Sequence, residues 1–405
     1  MALSQAPLDW ASHFCEGASS YFNGNKPSLA TSKTAIQNVT IWDGEKHIDD
    51  TTVVIDDNKI SLGGSTVGAN IVDGNGGFLF PGFIDTHVHA SSADGLTCLA
   101  NYGITMAYDM GTFNENMLQW RDVGDQGLTS LLFSGGATCK NTSFPCSLPG
   151  YPPDAFVTDH DMAKAFVQNR VAQGADYIKI VISDDDDPIP KEEYEKTIKE
   201  VADQNNRHLV SHAATYPAQK VARDVGGKFI THLPKDKTLT RQDIQEMLDK
   251  EQVAIPTLIM MQNLIRILRL DPRNLRKIKY DFSRDSVSLM YKMGVPILVG
   301  TDATARLFDI LVLVPYGKTY HEELQLLQEA GMSTEDIYRG ATSLPAKYFG
   351  LSNRGMIADG MRADLMLLDA DPFKDIKNSD RIIGMWTSGT PLKGPFGRWA
   401  KRCKV

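Results

Sequence analysis

The chain has 405 residues, of which 23% are charged and 42% hydrophobic, with a formal net charge of −8. That length exceeds one small domain and suits a barrel of roughly 250 to 300 residues plus a modest second unit, while the composition excludes disorder and collagen-like repeats. The acidic balance argues against nucleic acid or an anionic membrane surface as the main partner, so a small-molecule or short peptide substrate is expected.

The first fifteen residues, MALSQAPLDWASHFC, lack a basic stretch followed by an apolar one, and no run of 18 apolar residues occurs. Five scattered cysteines (15, 98, 139, 146 and 403) show neither CxxC spacing nor a dense framework, although Cys139 and Cys146 flank a short loop and can pair in an oxidising setting. Asn38-Val-Thr and Asn141-Thr-Ser are formal glycosylation sequons of a kind that arises often by chance. A reducing, cytoplasmic compartment and no membrane association are therefore expected.

Residues 1–32 carry no clear pattern and read as an N-terminal arm, for packing or for an oligomer contact. The first strands are expected over 35–42 (AIQNVTIW) and 51–55 (TTVVI), joined as a hairpin through the polar segment DGEKHIDD. After GFLFPGFIDTHVHA, apolar β-branched runs alternate with helical segments: 83–89, 105–111, 130–136, 177–183, 208–213, 229–233, 254–260 and 297–303. Eight such βα units make a closed (β/α)8 barrel the natural architecture, an α/β fold spanning 81–353. Within DMAKAFVQNRVAQGAD, Asp161 is expected to cap a helix and Gly174 to end it. Helices follow over 321–331, 334–340 and 344–350. Strand character then returns in GMIADGMRADLMLLDA and IIGMWTSG, so 33–80 and 354–395 are expected to meet in one small β domain.

Asp85-Thr-His87-Val-His89 ends the first barrel run. A period of 2 puts His87 and His89 on one face, and the C-terminal rim of a barrel is where active sites are built. Two converging imidazoles can share a divalent metal, but the dipeptide alone reads equally well as two hydrogen-bonded strand histidines. The other strands decide between these readings. His212 ends the fifth run, His232 the sixth, and Asp302 the eighth, so four of nine histidines fall on one rim. His13, His47, His160 and His321 lie in loops or helices, and His208 starts the fifth strand.

Lys179 sits in Tyr177-Ile-Lys-Ile-Val-Ile, the most apolar strand of the chain. A buried ammonium must snorkel, pair or lose its charge. It can pair with one of the four acids at 184–187. Between two metals it has another course: the neutral amine adds carbon dioxide to give a carbamate whose oxygens bridge the cations.

Together PGFIDTHVH, the strand lysine, the two strand-end histidines, GTDA and the late ATSLPAKYFGL and GMIADGMRADLMLLDADP resemble the amidohydrolase superfamily, over residues 35–390. Within it the chain most resembles the group of imidazolonepropionase-related proteins, Xaa-Pro dipeptidases (prolidases) and the fungal ochratoxin-hydrolysing amidase. That narrower likeness rests on NYGITMAYDMG, the lysine on the fourth strand, the twenty-residue step from His212 to His232, and the Pro256-Thr-Leu258 segment.

The resemblance implies a binuclear centre, usually zinc, although the ligand chemistry also suits iron, manganese or cobalt. His87, His89 and Asp302 would hold the more buried metal and His212 and His232 the other, with carbamylated Lys179 and a hydroxide bridging. Asp302 would act as general base and then general acid in cleaving an amide or peptide-type C–N bond of an N-acyl amino acid, dipeptide or cyclic amide. The late strands would belong to a β-sandwich, and since relatives often assemble, a homo-oligomer is an open expectation.

Asp85 and Asp109 can orient ligand histidines through the free ring N–H, with Asp85 alternatively capping a turn. Tyr216 and Arg306 follow the fifth and eighth strands and are candidate substrate contacts, Arg306 for a carboxylate; a surface helix position is its commoner fate. The acids at 184–187 can select charge at the mouth of the site or form a solvated loop. Deamination, decarboxylation or isomerisation on the same fold, and a noncatalytic relative, remain alternatives. The bridging lysine counts against deamination and the complete ligand set against the noncatalytic reading.

Overall fold

The computed structural model describes residues 33–48, 51–112, 117–138, 153–182, 193–304 and 314–400. The arm at 1–32, the Cys139–Cys146 loop with the Asn141 sequon, the acids at 184–187 and Arg306 lie outside the described residues.

The chain opens with β1 (Thr34–Trp42), β2 (His47–Ile48), β3 (Val53–Asp56), β4 (Lys59–Leu62) and β5 (Asn70–Pro81). Alternation follows: β6 (Phe83–His89), α1 (Ala93–Asn101), β7 (Ile104–Asp109), β8 (Ser130–Phe133), α2 (His160–Ala172), β9 (Ile178–Val181), α3 (Glu193–Gln204), β10 (Leu209–His212) and α4 (Tyr216–Val225). It continues through β11 (Phe229–Thr231), α5 (Arg241–Asp249), β12 (Val253–Ile255), α6 (Leu258–Leu268), α7 (Tyr280–Met293) and β13 (Ala303–Thr304). The chain closes with α8 (Lys318–Glu329), α9 (Thr334–Ala341), α10 (Ser343–Tyr348), β14 (Leu365–Leu368), β15 (Ile382–Thr387) and β16 (Thr390–Pro391).

Both ends of the chain share one mixed sheet of order β16-β15-β14-β5-β1-β3-β4, with β2 paired to β1. The strands between them form two parallel four-stranded sheets, β13-β6-β7-β8 and β12-β11-β10-β9. Single bridges, Thr138 to Ile180 and Ala254 to Ile297, connect the two.

Two expectations are corrected in detail. The apolar run 254–260 is a strand only to Ile255. Pro256 has no N–H to give a ladder, Thr257 turns left-handed (φ 48°), and Leu258 begins α6. An apolar run of that length reads as strand or helix alike. Helix α2 is capped by Asp159, whose side chain accepts from Met162 N, rather than by Asp161, which falls in the first turn. Gly174 does take a left-handed turn just beyond that helix (φ 83°).

Alternation sorts each strand of the parallel sheets between two cores. Phe83 stacks on Tyr320 and Tyr338 in the larger cluster, under the helices. Its neighbour Ile84 joins Met106, Tyr108, Tyr177, Phe229 and Val253 in a second cluster at the beginnings of the strands. Phe349, just past α10, stacks on Phe229 at 4.1 Å and lies 4.1 Å from Tyr108, closing that end. Polar strand-end groups are left at the other end.

Cys98, in α1, is disulfide-bonded. Among the described residues, no helix is long and apolar enough to cross a membrane.

Buried Arg362 ties the mixed sheet to the parallel strands. Its guanidinium donates to Asp364 at 2.7 Å, to Asp122, and to the Ser130 hydroxyl in β8 at 3.3 Å. Asp364 also accepts Ser388 N. Removing one partner strands a buried charge, so Arg362→Ala is expected to cost roughly 3–5 kcal/mol. A urea midpoint that falls accordingly at unchanged slope checks this.

Candidate metal centre

Four strand ends converge. His87 and His89 end β6, His212 ends β10, His232 follows β11, and Asp302 precedes β13. The Oδ1 atom of Asp302 lies 3.2 Å from His87 Nε2 and 3.0 Å from His89 Nε2, and the ligand atoms of these three residues all fall within 4.8 Å of one another. The His87 ring is 4.9 Å from that of His232, which is 4.2 Å from that of His212. Lys179, only 2% exposed, reaches Thr231 Oγ1 at 3.5 Å.

The charge states suit a cation. Burial, and then the Lys179 charge, press the His87 imidazole down to about 3. Burial, followed by His212, holds His232 well below the ordinary histidine value. Both rings are thus neutral, the form that binds metal. Burial would raise Asp302, but His87 and His89 beside it keep the carboxylate ionised, well below the usual range. Burial takes the Lys179 ammonium down to about 7 against the pull of Asp302 and Asp109, and among the described residues no carboxylate pairs with it. Neutral imidazole nitrogens and an anionic oxygen facing one point are a donor set for a divalent cation.

The backbone reaches this arrangement at a cost. Asp302 (φ 64°), His232 (φ 69°) and Thr257 (φ 48°) all adopt the left-handed region. That conformation costs a non-glycine residue about 1–3 kcal/mol and is least tolerable for β-branched threonine. Each turn is pinned. Asp302 N donates to His87 O at 2.8 Å, His232 N donates to Ile255 O at 2.9 Å, and Gln219 Nε2 donates to His232 O at 3.0 Å.

Asp85 and Asp109 support the histidines through the backbone rather than through a ring N–H. Asp85 accepts from His87 N (3.1 Å), Thr301 N (3.1 Å) and Thr301 Oγ1 (2.7 Å), which fixes Asp302 beside His87. Burial raises its carboxyl to about 7 in spite of these bonds. Asp109 accepts from Ala90 N at 2.7 Å, just past His89, and from Gly111 N and Thr112 N. Tyr216 starts α4 beside His212, but its hydroxyl donates to Asp243 at 2.9 Å, and the Lys237 ammonium sits 3.9 Å from its ring centre.

Sequence reasoning missed Thr257, whose Oγ1 lies 2.8 Å from His232 Nδ1, and Glu323 behind it. The segment around Thr257 was visible as a family likeness, without a role. The signal at Glu323 was an acid on the buried face of α8, next to Leu324 and Leu327.

Residues 78–394 match the family model described as the amidohydrolase family. An imidazolonepropionase of Idiomarina loihiensis is 25% identical over 379 residues, covering 79% of this chain and 86% of that protein. Among solved structures, a Xaa-Pro dipeptidase with bound methionine in the active site aligns with TM-score 0.78 at 20% identity, over 90% of this chain and 100% of that one. The ochratoxinase of A. niger aligns with TM-score 0.74 at 19% identity, over 92% and 98%. Since the family model spans most of its length, this chain belongs to the amidohydrolase family.

Proposed function

We propose that this protein is a metal-dependent hydrolase that cleaves an amide or peptide-type C–N bond. The observation that carries this reading is the convergence of neutral His87 and His232, with His89 and His212, on anionic Asp302 and buried Lys179. The two bridged parallel sheets are read as one closed (β/α)8 barrel over 81–353, and 33–80 with 354–395 as its companion β domain. The names of the relatives, a dipeptidase among them, support N-acyl amino acids, dipeptides and cyclic amides as the compounds to screen.

His87, His89 and Asp302 would hold one cation and His212 and His232 a second, probed first as zinc. Divalent cations bound there supply a water acidified to a pKa of roughly 7 and a Lewis acid for the scissile carbonyl. Lys179 would bridge as its carbamate. The neutral Nζ attacks carbon dioxide, a C–N bond forms, and one proton leaves to solvent. Asp302 takes the proton of the attacking water and returns it to the leaving nitrogen. Tyr216 would serve as a substrate contact only if its hydroxyl left Asp243; Arg306 stays proposed from its place after the eighth strand.

Metal analysis of purified protein should find two divalent ions per chain, with Lys179 heavier by one CO2. Lys179→Ala should lose most of both the metal and the activity. One ion per chain with an unmodified lysine would sink the binuclear reading.

Asp302→Asn should lower kcat by about 10²–10⁴-fold, the usual share of general acid–base catalysis. Steady-state kinetics on a cleaved dipeptide or N-acyl amino acid measures it.

Carbamylation needs the free amine, and the Lys179 pKa in the metal-free protein is about 7. The amine is therefore protonated below that value and freed as pH rises through it. Reloading metal-free protein with zinc and bicarbonate should fail well below pH 7 and become effective above it, followed by intact mass under native conditions. A yield independent of pH would contradict the assignment.

A further inference from the structure

Helix α6 is capped unlike five of the other helices, while α7, α8 and α10 also lack a side-chain cap from the preceding residue. In α1, α2, α4, α5 and α9, the residue before the helix lies in extended backbone and its side chain accepts an amide of the first turn: Ser92, Asp159, Thr215, Thr240 and Ser333. Thr257 occupies that place before α6, but its backbone is left-handed and its hydroxyl makes no cap. The hydroxyl faces His232 Nδ1 at 2.8 Å instead. The free amides at the helix start are taken by a distant residue. Glu323, on α8 and fully buried, accepts Leu258 N at 2.9 Å through one carboxylate oxygen and Ile259 N at 2.7 Å through the other.

A buried helix start needs acceptors for its first amides. If Thr257 supplied one, it would be extended and its hydroxyl would turn toward its own helix. Because Glu323 supplies both, Thr257 is free to adopt the strained turn and spend its hydroxyl on the imidazole. We propose that Glu323 and Thr257 form a positioning relay that holds His232 with its proton on Nδ1 and its Nε2 lone pair turned to the centre. A ligand histidine is fixed in tautomer and direction by what its other nitrogen bonds, and among the described residues His232 Nδ1 meets the Thr257 hydroxyl and no carboxylate. Neither relay residue belongs to the proposed ligand set, so both are positioning residues. The relay's effect on metal binding rests on the metal-centre reading above, whereas its effect on the His232 tautomer does not.

The test uses the full chain with Thr257→Val, Thr257→Ser, Glu323→Gln and the double variant Thr257→Val/Glu323→Gln. In Glu323→Gln one amide hydrogen meets the carboxamide NH2, so only one of the two bonds survives. The first readout is the nitrogen spectrum of histidine-labelled, metal-free protein. Wild type and Thr257→Ser should show His232 fixed as the Nδ1–H tautomer, and Thr257→Val and Glu323→Gln a mixture. The second is zinc affinity by chelator competition. Thr257→Val and Glu323→Gln should each weaken the weaker-held zinc by about 10–100-fold, the usual effect of losing a ligand's orienting partner. The double variant should be no worse than Thr257→Val alone, because Glu323 acts through Thr257.

An unaltered tautomer in Thr257→Val, or a Glu323→Gln that is destabilised yet binds zinc normally, would overturn the relay and leave Glu323 a helix cap. If Glu323→Gln does not fold, the Val and Ser variants at Thr257 still decide the contact to His232, and a loss in Val without recovery in Ser counts against it. Wild type that binds no zinc but shows the fixed tautomer would refute the metal-centre reading while upholding the relay.

Discussion

The Asp302 carboxylate between the imidazoles of His87 and His89 is the interaction around which the rest of the centre is arranged. An isolated anion at that depth would cost many kcal/mol, and in most proteins such a group takes up a proton instead. It stays ionised because two rings face one of its oxygens. The His87 ring is itself buried, so it cannot easily become the cation that would neutralise Asp302. The pocket thus gathers one negative charge, neutral nitrogen donors and a lysine that burial has brought close to losing its proton. Divalent cations meet all three conditions together, which is why the donor set argues for metal more strongly than any single contact does.

Holding such a group in place falls to the backbone. Register sets Lys179, Val210, Phe229 and Val253 side by side across the parallel strands, and two residues further on Val181, His212, Thr231 and Ile255. Asp85 and Asp109 bind main-chain amides, and so fix where a strand ends rather than which way a ring turns. Ring direction at His232 comes from a hydroxyl instead, Thr257. One layer places the Cα atoms and another aims the nitrogens, a division suited to tolerances of a fraction of an ångström in metal coordination.

What was legible in the sequence follows from these physics. A polar residue at a strand end is announced by its own type and by the apolar run before it, so His87, His89, His212, His232 and Asp302 were legible as a set that the structure draws together, although Asp302 precedes a short strand instead of ending one, and Lys179 stood out as the one charge in an apolar strand. Strand limits were less legible: the seventh run hid a change to helix at Thr257, because Leu258–Leu268 begins as apolarly as the strand ends. Roles that depend on contacts between distant segments were not legible at all. Glu323 and Leu258 are 65 residues apart, and nothing local to either records the meeting. Tyr216 stays a proposed substrate contact, with its hydroxyl on Asp243 in this structure. Its place beside His212 suggested substrate, but whether a phenol faces a pocket or a neighbouring helix is decided by Asp243 and Lys237, both remote in sequence.

The left-handed residues bear on why the centre is built from these types and no others. Glycine would accept φ near +60° at no steric cost, yet it offers neither nitrogen nor carboxylate, so a ligand at such a turn must carry its strain. Aspartate does so most cheaply, because short polar side chains visit this region readily, and Asp302 is where a carboxylate is needed. At His232 and Thr257 the cost is higher, and the pinning is correspondingly heavier: the carbonyl of Ile255 and the amide of Gln219 on one, the carboxylate of Glu323 just after the other. Strain of this kind persists only where surrounding bonds over-determine it. Of the nine non-glycine residues with positive φ among the described residues, three meet in this pocket, two of them the bulky His232 and Thr257, and that pairing marks the site independently of the histidine pattern.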